Sequence, residues 1–315
     1  MNPTETTHLD YLQQRLPFIP IPASLPFLPP NYITILEHEP PTSTSSMPIP
    51  LPRLTSLTCW ESFNLTHILD LHKLYLEDAK ITCAGDFPTD LPRLESKWDL
   101  CDFVEQHIQP RVQDALDVGI RYIKKYRKDG YRSPRGYRSE EEGQGHDQEQ
   151  DQNEVEVEEE EEEETSINDR ITIFRRMNES RDLGSPQPDF RCVVVNTQTG
   201  LARVNVVGVV KPSWDWNTDM EGGDVLEKTE FQFLLRRLMR LMRRSGAAFG
   251  FVLTEQEMVA ARWGKGGGAG ELEISEPMRW SCGGTVEDPK MTVLLGLWYL
   301  AMLAARESGR GCKTH

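Results

Sequence analysis

"PDFRCVVVNTQTGLARVNVVGVVKPSW", residues 188–214, sets two runs of β-branched residues around the polar, glycine-ended segment "NTQTG". Valine is stiff at χ1 and packs well on a pleated surface, so "DFRCVVV" and "LARVNVVGVVK" read as the strands of a β-hairpin. Side chains alternate across a strand, and residues two apart share a face. Val209 and Lys211 therefore project together, and the hairpin is expected to bring the Asp189 carboxylate beside the Lys211 ammonium.

The sequence after the hairpin alternates in character. In "EKTEFQFLLRRLMRLMRRSG" (227–246), Phe231, Leu234, Leu235, Leu238, Leu241 and Met242 recur every three or four residues. They form one apolar helix stripe, with Gly246 as the expected C-cap. "AAFGFVLT" (247–254) reads as a short buried strand. "EMVAARW" (257–263) and "ELEISEPMRW" (271–280) read as a second hairpin, joined by "GKGGGAG" (264–270). "MTVLLGLWYLAMLAA" (291–305) is too short for the roughly 20 residues of a bilayer span and reads as a buried helix. Strand, strand, helix, strand makes an α/β core, with a right-handed crossover expected.

Upstream, residues 17–52 contain 11 prolines and few charges. Such spacing blocks helix and sheet, so 1–55 is expected to be an extended or disordered arm. Residues 56–138 are helical in pattern. Phe63, Ile68, Leu69, His72 and Leu76 fall at helix-like intervals, as do Phe103, Val104, Ile108, Val112, Leu116, Ile120 and Ile123. Pro110 should kink or divide the second helix. Between Glu140 and Glu164 stand 15 acidic residues and no Lys or Arg. That tract repels itself, so 139–165 reads as a disordered insertion. Net charge is −15 from 50 acidic and 35 basic residues, and removing the tract leaves 35 of each. The acidity therefore describes one segment rather than the folded surface. The α/β core is assigned to 166–308 and a tail to 309–315.

"PDF" (188–190), "VVGVVKPSW" (206–214), "FGFVLTEQEMVAARW" (249–263), "LEISEPMRW" (272–280) and "MTVLLGLWYLAMLA" (291–304) stand in the order and spacing of a nuclease core. In these words the chain resembles the PD-(D/E)XK nuclease superfamily, and within it a set of fungal proteins with nuclease-like domains. The resemblance covers about 170–305, with the helix around 100–125 as the first helix of such a fold. It implies a mixed sheet flanked by helices. It also implies a site where two carboxylates hold Mg²⁺ through hard oxygen ligands while a lysine positions the nucleophile. Carried over by position, Asp189 matches the first acid and metal ligand, and Lys211 the lysine. The second acid falls on Val209, which cannot ligate a hard cation.

Some relatives supply that acid from the next helix, where Glu227 and Glu230 are the candidates; Asp215 is a poorer one, because the chain has left the strand. One branch of the superfamily carries a Gln-x-x-x-Tyr pair on the same helix, and here Arg237 and Leu241 occupy those positions. Both departures point to a degenerate site that is weakly active or inactive. An active enzyme would need Mg²⁺; an inactive one needs no cofactor. Glu105 on the first helix is a further carboxylate to place.

Two basic stretches are candidates for nucleic acid, DNA or RNA. "RYIKKYRKDGYRSPRGYR" (121–138) offers Lys124, Lys125, Arg127 and Lys128 to phosphates, with Tyr126 and Tyr131 for stacking. The helix 227–246 offers Arg237 and Arg240 on the face away from its leucines. An interaction module built on the proline-rich arm and acidic tract is the alternative from another class. "GKGGGAG" lacks the Lys-Ser/Thr pair and following helix of a phosphate loop. The six cysteines show no zinc-like spacing, and the N-terminus lacks a signal peptide's apolar run. The expectation is an intracellular protein, nuclear or cytoplasmic, without a membrane segment.

Overall fold

The computed structural model describes residues 5–20, 51–82, 87–88, 93–128, 170–176, 187–196, 200–264 and 270–307. The acidic tract, most of the proline-rich segment, the loop 265–269 and the tail lie outside them. The described residues form an α/β structure, a mixed sheet with helices on both faces.

The hairpin is present: β5 (Phe190–Asn196) pairs antiparallel with β6 (Ala202–Val210), with a bulge at Cys192/Val193. Its outer neighbour is β4 (Arg170–Arg176). From β6 the chain crosses through α5 (Val225–Ser245) to β7 (Phe249–Leu253), which lies parallel to β6. β7 turns tightly into β8 (Glu257–Trp263), which pairs antiparallel with β9 (Glu271–Ile274) and with the short β10 (Met278–Arg279). At the far edge, β2 (Ser56–Cys59) adds parallel to β9. The strand order is β2-β9-β8-β7-β6-β5-β4.

Alternation along β6 distributes the core. Val207 and Val209 face α5 and join Phe231, Leu234, Leu235 and Leu238. Val206 and Val210 face the other way, toward α6 (Val293–Glu307) and the helices of the N-terminal half. The expected stripe of α5 is buried in full. The helix starts on an Asp224–Glu227 capping box and ends at Gly246, which takes φ 64°, a conformation open to glycine at little steric cost.

Three features of the N-terminal half depart from the expectations. Residues 5–20, assigned to the arm, are folded: β1 (Glu5–Thr7) pairs with β3 (Lys80–Thr82), and α1 (His8–Leu12) buries Leu9, Tyr11 and Leu12. The 11-proline span begins only at residue 17, so proline content has no bearing on β1 and α1. β2 is a strand in the stretch read as helical; it precedes α2 (Leu65–Asp78), and its backbone is held by the sheet edge rather than by its own periodicity. The helix around Pro110 is divided, but by a change of helix type ahead of the proline rather than by a break at it. Between α3 (Lys97–Phe103) and α4 (Gln109–Lys128) the backbone makes a π-turn over Val104–Ile108, with the Gln109 N–H donating to the Val104 carbonyl. The wider turn relieves the clash that a proline ring makes with the carbonyl four residues back.

Candidate functional site

The hairpin and α3 build the site together. Asp189 stands one residue before β5 and extends its ladder, its N–H donating to the Gly208 carbonyl (2.9 Å). A Cβ at Gly208 would overlap the ring of Phe251, so glycine at this position lets that ring pack across the strand. Asp189 Oδ2 accepts from the Val210 N–H (2.8 Å). Its other oxygen, Oδ1, accepts from Lys97 Nζ (2.5 Å). Lys97 occupies the first turn of α3, whose start is fixed by a capping box: Ser96 Oγ accepts from the Asp99 N–H, and Asp99 Oδ2 accepts from the Ser96 N–H.

Lys211 follows β6 directly, and its N–H donates to the Leu253 carbonyl (3.0 Å). Its ammonium lies 3.8 Å from Asp215 Oδ2, one helical turn on in sequence. Burial pulls the Lys211 pKa below the ordinary lysine value; Asp215 and Asp189 oppose that shift, while Arg237 and Lys97 add to it. Burial raises the Glu230 carboxyl, with Lys211 opposing and Asp215 reinforcing. Asp189, Lys211 and Glu230 thus share one electrostatic neighbourhood with Lys97, Asp215 and Arg237: three acids and three cations.

Val209 is fully buried in the apolar cluster under α5. Glu227 is committed to capping α5, its Oε2 accepting from the Asp224 N–H (2.9 Å). Glu105 accepts from Arg176 (2.7 Å), which also pairs with Asp102. Leu241 is buried in the sheet-facing stripe. Arg237 and Arg240 are half-buried on α5, each with its Nε lacking a hydrogen-bond partner. α4 runs to Lys128, but the side chains of Lys124, Lys125, Arg127 and Lys128 lie outside the described residues, as do Tyr126 and Tyr131.

The sequence reading missed two groups. Lys97 had no motif around it, and only the start of α3 at Ser96 brings it to Asp189. Glu255, buried in the β7–β8 turn, accepts from the Ser213 N–H through both oxygens (3.1 and 2.9 Å) and from its hydroxyl. It thereby ties down the loop that carries Lys211 and Asp215. Burial raises its pKa, and the Ser213 hydrogen bonds oppose that shift. The TEQE turn could have signalled it, since the Thr254 hydroxyl accepts from the N–H groups of Gln256 and Glu257 and so turns the chain there.

The donors do not fit a divalent cation. A hard metal needs several converging oxygen ligands, whereas Asp189 already has an ammonium on one oxygen and an amide N–H on the other. Among the described residues, no three His, Cys, Asp or Glu side chains converge where they could hold a metal ion. What the arrangement offers instead is a partly buried set of fixed charges. Comparison with protein-family models, curated proteins and solved structures gives no match. Among the described residues, no helix is long and apolar enough to cross a membrane.

Proposed function

We propose that the protein is a degenerate member of the PD-(D/E)XK nuclease-like group that binds nucleic acid without cutting it efficiently. The observation that carries this reading is the Lys97–Asp189 pair. The carboxylate at the first-acid position is neutralised by a side chain, and the second-acid position is an aliphatic group in a packed core. Lys211 remains at the end of its strand, with Arg237 near enough to lower its pKa. Cations at such a site would contact the phosphate backbone rather than bases, so binding is expected to depend steeply on salt and weakly on sequence.

The test has two parts. Plasmid and single-stranded DNA incubated with the protein and Mg²⁺ or Mn²⁺ should show no cleavage beyond a Lys211→Ala control. Fluorescence anisotropy with labelled DNA and RNA should show salt-sensitive binding that Lys211→Ala weakens. Cleavage abolished by Lys211→Ala would instead favour an active enzyme whose second acid is Glu230, the α5 carboxylate in the Lys211 neighbourhood.

A further inference from the structure

We infer that Lys97 is the resident cation of this site: its ammonium does for Asp189 what a divalent ion does in a metal-dependent nuclease, and it makes the site independent of metal. The inference rests on reading Asp189 as the remnant of a metal site, and it adds a residue and a consequence that the reading does not contain.

Three observations converge on it. The Lys97 side chain is only 23% exposed and that of Asp189 only 11%, so the pair is well shielded from water and a passing ion would have to displace an ammonium already in place. Second, Lys97 does not come from the strand that carries Lys211. It comes from the start of α3, which a complete capping box holds in register. Third, the oxygen ligands that a metal would need do not converge here: among the described residues no three His, Cys, Asp or Glu side chains are placed to hold an ion. Asp189 Oδ2 is taken by the Val210 N–H, Val209 is apolar and fully buried, and Glu227 is used as a helix cap. A single positive charge satisfies a single carboxylate; a divalent ion there would meet Lys97, Lys211 and Arg237 as well as the Asp189, Asp215 and Glu230 carboxylates, so each acid already has a cation nearby.

It follows that two positions, not one, exclude metal. Restoring an acid at Val209 leaves Lys97 in place, so Val209→Asp alone should not recover metal binding. Replacing Lys97 by an acid removes the cation and adds a carboxylate in one step, at a partly exposed position that a glutamate tolerates. Calorimetric titration with Mn²⁺ on the full chain reads this directly. The wild type and Lys97→Gln are expected to show no saturable binding in the micromolar range. Lys97→Glu is expected to bind one Mn²⁺ at least tenfold more tightly than wild type, and Asp189→Asn in that background should abolish it. The double variant Lys97→Gln/Val209→Asp is the second route to the same gain, and circular dichroism reports whether each variant is folded. Saturable, Asp189-dependent Mn²⁺ binding by the wild type would overturn the inference. So would a folded Lys97→Glu protein that gains no affinity. These outcomes are separate from nucleic-acid binding, whose absence would overturn the proposed function and leave the role of Lys97 standing.

Discussion

The ammonium of Lys97 and the carboxylate of Asp189 lie 2.5 Å apart although 92 residues separate them in sequence. Removing one partner leaves the other shielded and without a counter-charge, which costs more than the pair itself contributes. Because both groups keep some contact with solvent, Lys97→Met should lower stability by about 1–2 kcal/mol. Urea denaturation of Lys97→Met, Asp189→Asn and the double variant would give the coupling, and the double variant should be less destabilised than the two singles summed.

Gly208 and Phe251 allow a second prediction. Gly208→Ala forces a methyl group into the Phe251 ring and should cost about 1–3 kcal/mol, as overpacked cores do. Adding Phe251→Leu should recover part of that loss. Thermal unfolding of the three variants checks both statements.

Acid should destabilise the protein through His8. This side chain is fully buried between Tyr75 and Trp298, with ring centroids 4.9 and 5.4 Å away and both nitrogens unpartnered. Burial, with the nearby His72 adding, lowers its pKa to about 3; His72 itself is lowered to about 4, by burial first and by Arg306 and His67 after it. The unfolded chain takes up these protons near pH 6.5 and the folded chain only far below. Stability is therefore full above about pH 6.5 and is lost as pH falls toward 3, with His8 alone accounting for about 2 kcal/mol by pH 5. Melting temperatures from pH 7 to pH 4.5 should show a decline that His8→Phe flattens.

Glu255 holds Ser213, and with it the loop carrying Lys211. Glu255→Ala orphans a buried N–H and hydroxyl and should cost about 1–3 kcal/mol. In anisotropy titrations the same variant should weaken DNA binding less than Lys211→Ala does, because it loosens the lysine without removing it.

Salt dependence offers a further check on the binding surface. If Lys211 and Arg237 each neutralise one phosphate of single-stranded DNA, Lys211→Ala and Arg237→Ala should each flatten the slope of log K against log salt by about 0.7. Anisotropy at several KCl concentrations reads the slope, and an unchanged slope would place the DNA elsewhere.

The β5–β6 hairpin, the stripe and glycine cap of α5, the β8–β9 pair and the burial of α6 were all legible, because each follows from a local periodicity or a turn residue. The hairpin placed Asp189 and Lys211 at the same end of the sheet, but their ion pairs are with Lys97 and Asp215, which it did not indicate. Lys97 was not legible, since its contact is set by where α3 begins relative to a strand 92 residues away, and no local pattern encodes that distance. Pro110 signalled that its helix is interrupted but not the form the interruption takes. Proline's clash is a rule about α-helical geometry, and a π-turn escapes it. Residues 5–16 carry too short an apolar pattern to announce a buried strand and helix; what holds them is the complementary surface of α2 and α6.

The N-terminal segment has one more consequence, for synthesis. The Gln13 side chain donates to the Lys290 carbonyl, and the Thr292 hydroxyl donates to the Leu12 carbonyl, contacts that span 277 and 280 residues. Ribosomes extend chains at about 5–20 residues per second, so Leu12 and Gln13 are made many seconds before Lys290 and Thr292, their partners. In that interval the segment holding Leu9, Tyr11 and Leu12 lacks those partners, and the core closes only once residues 290–292 have been made.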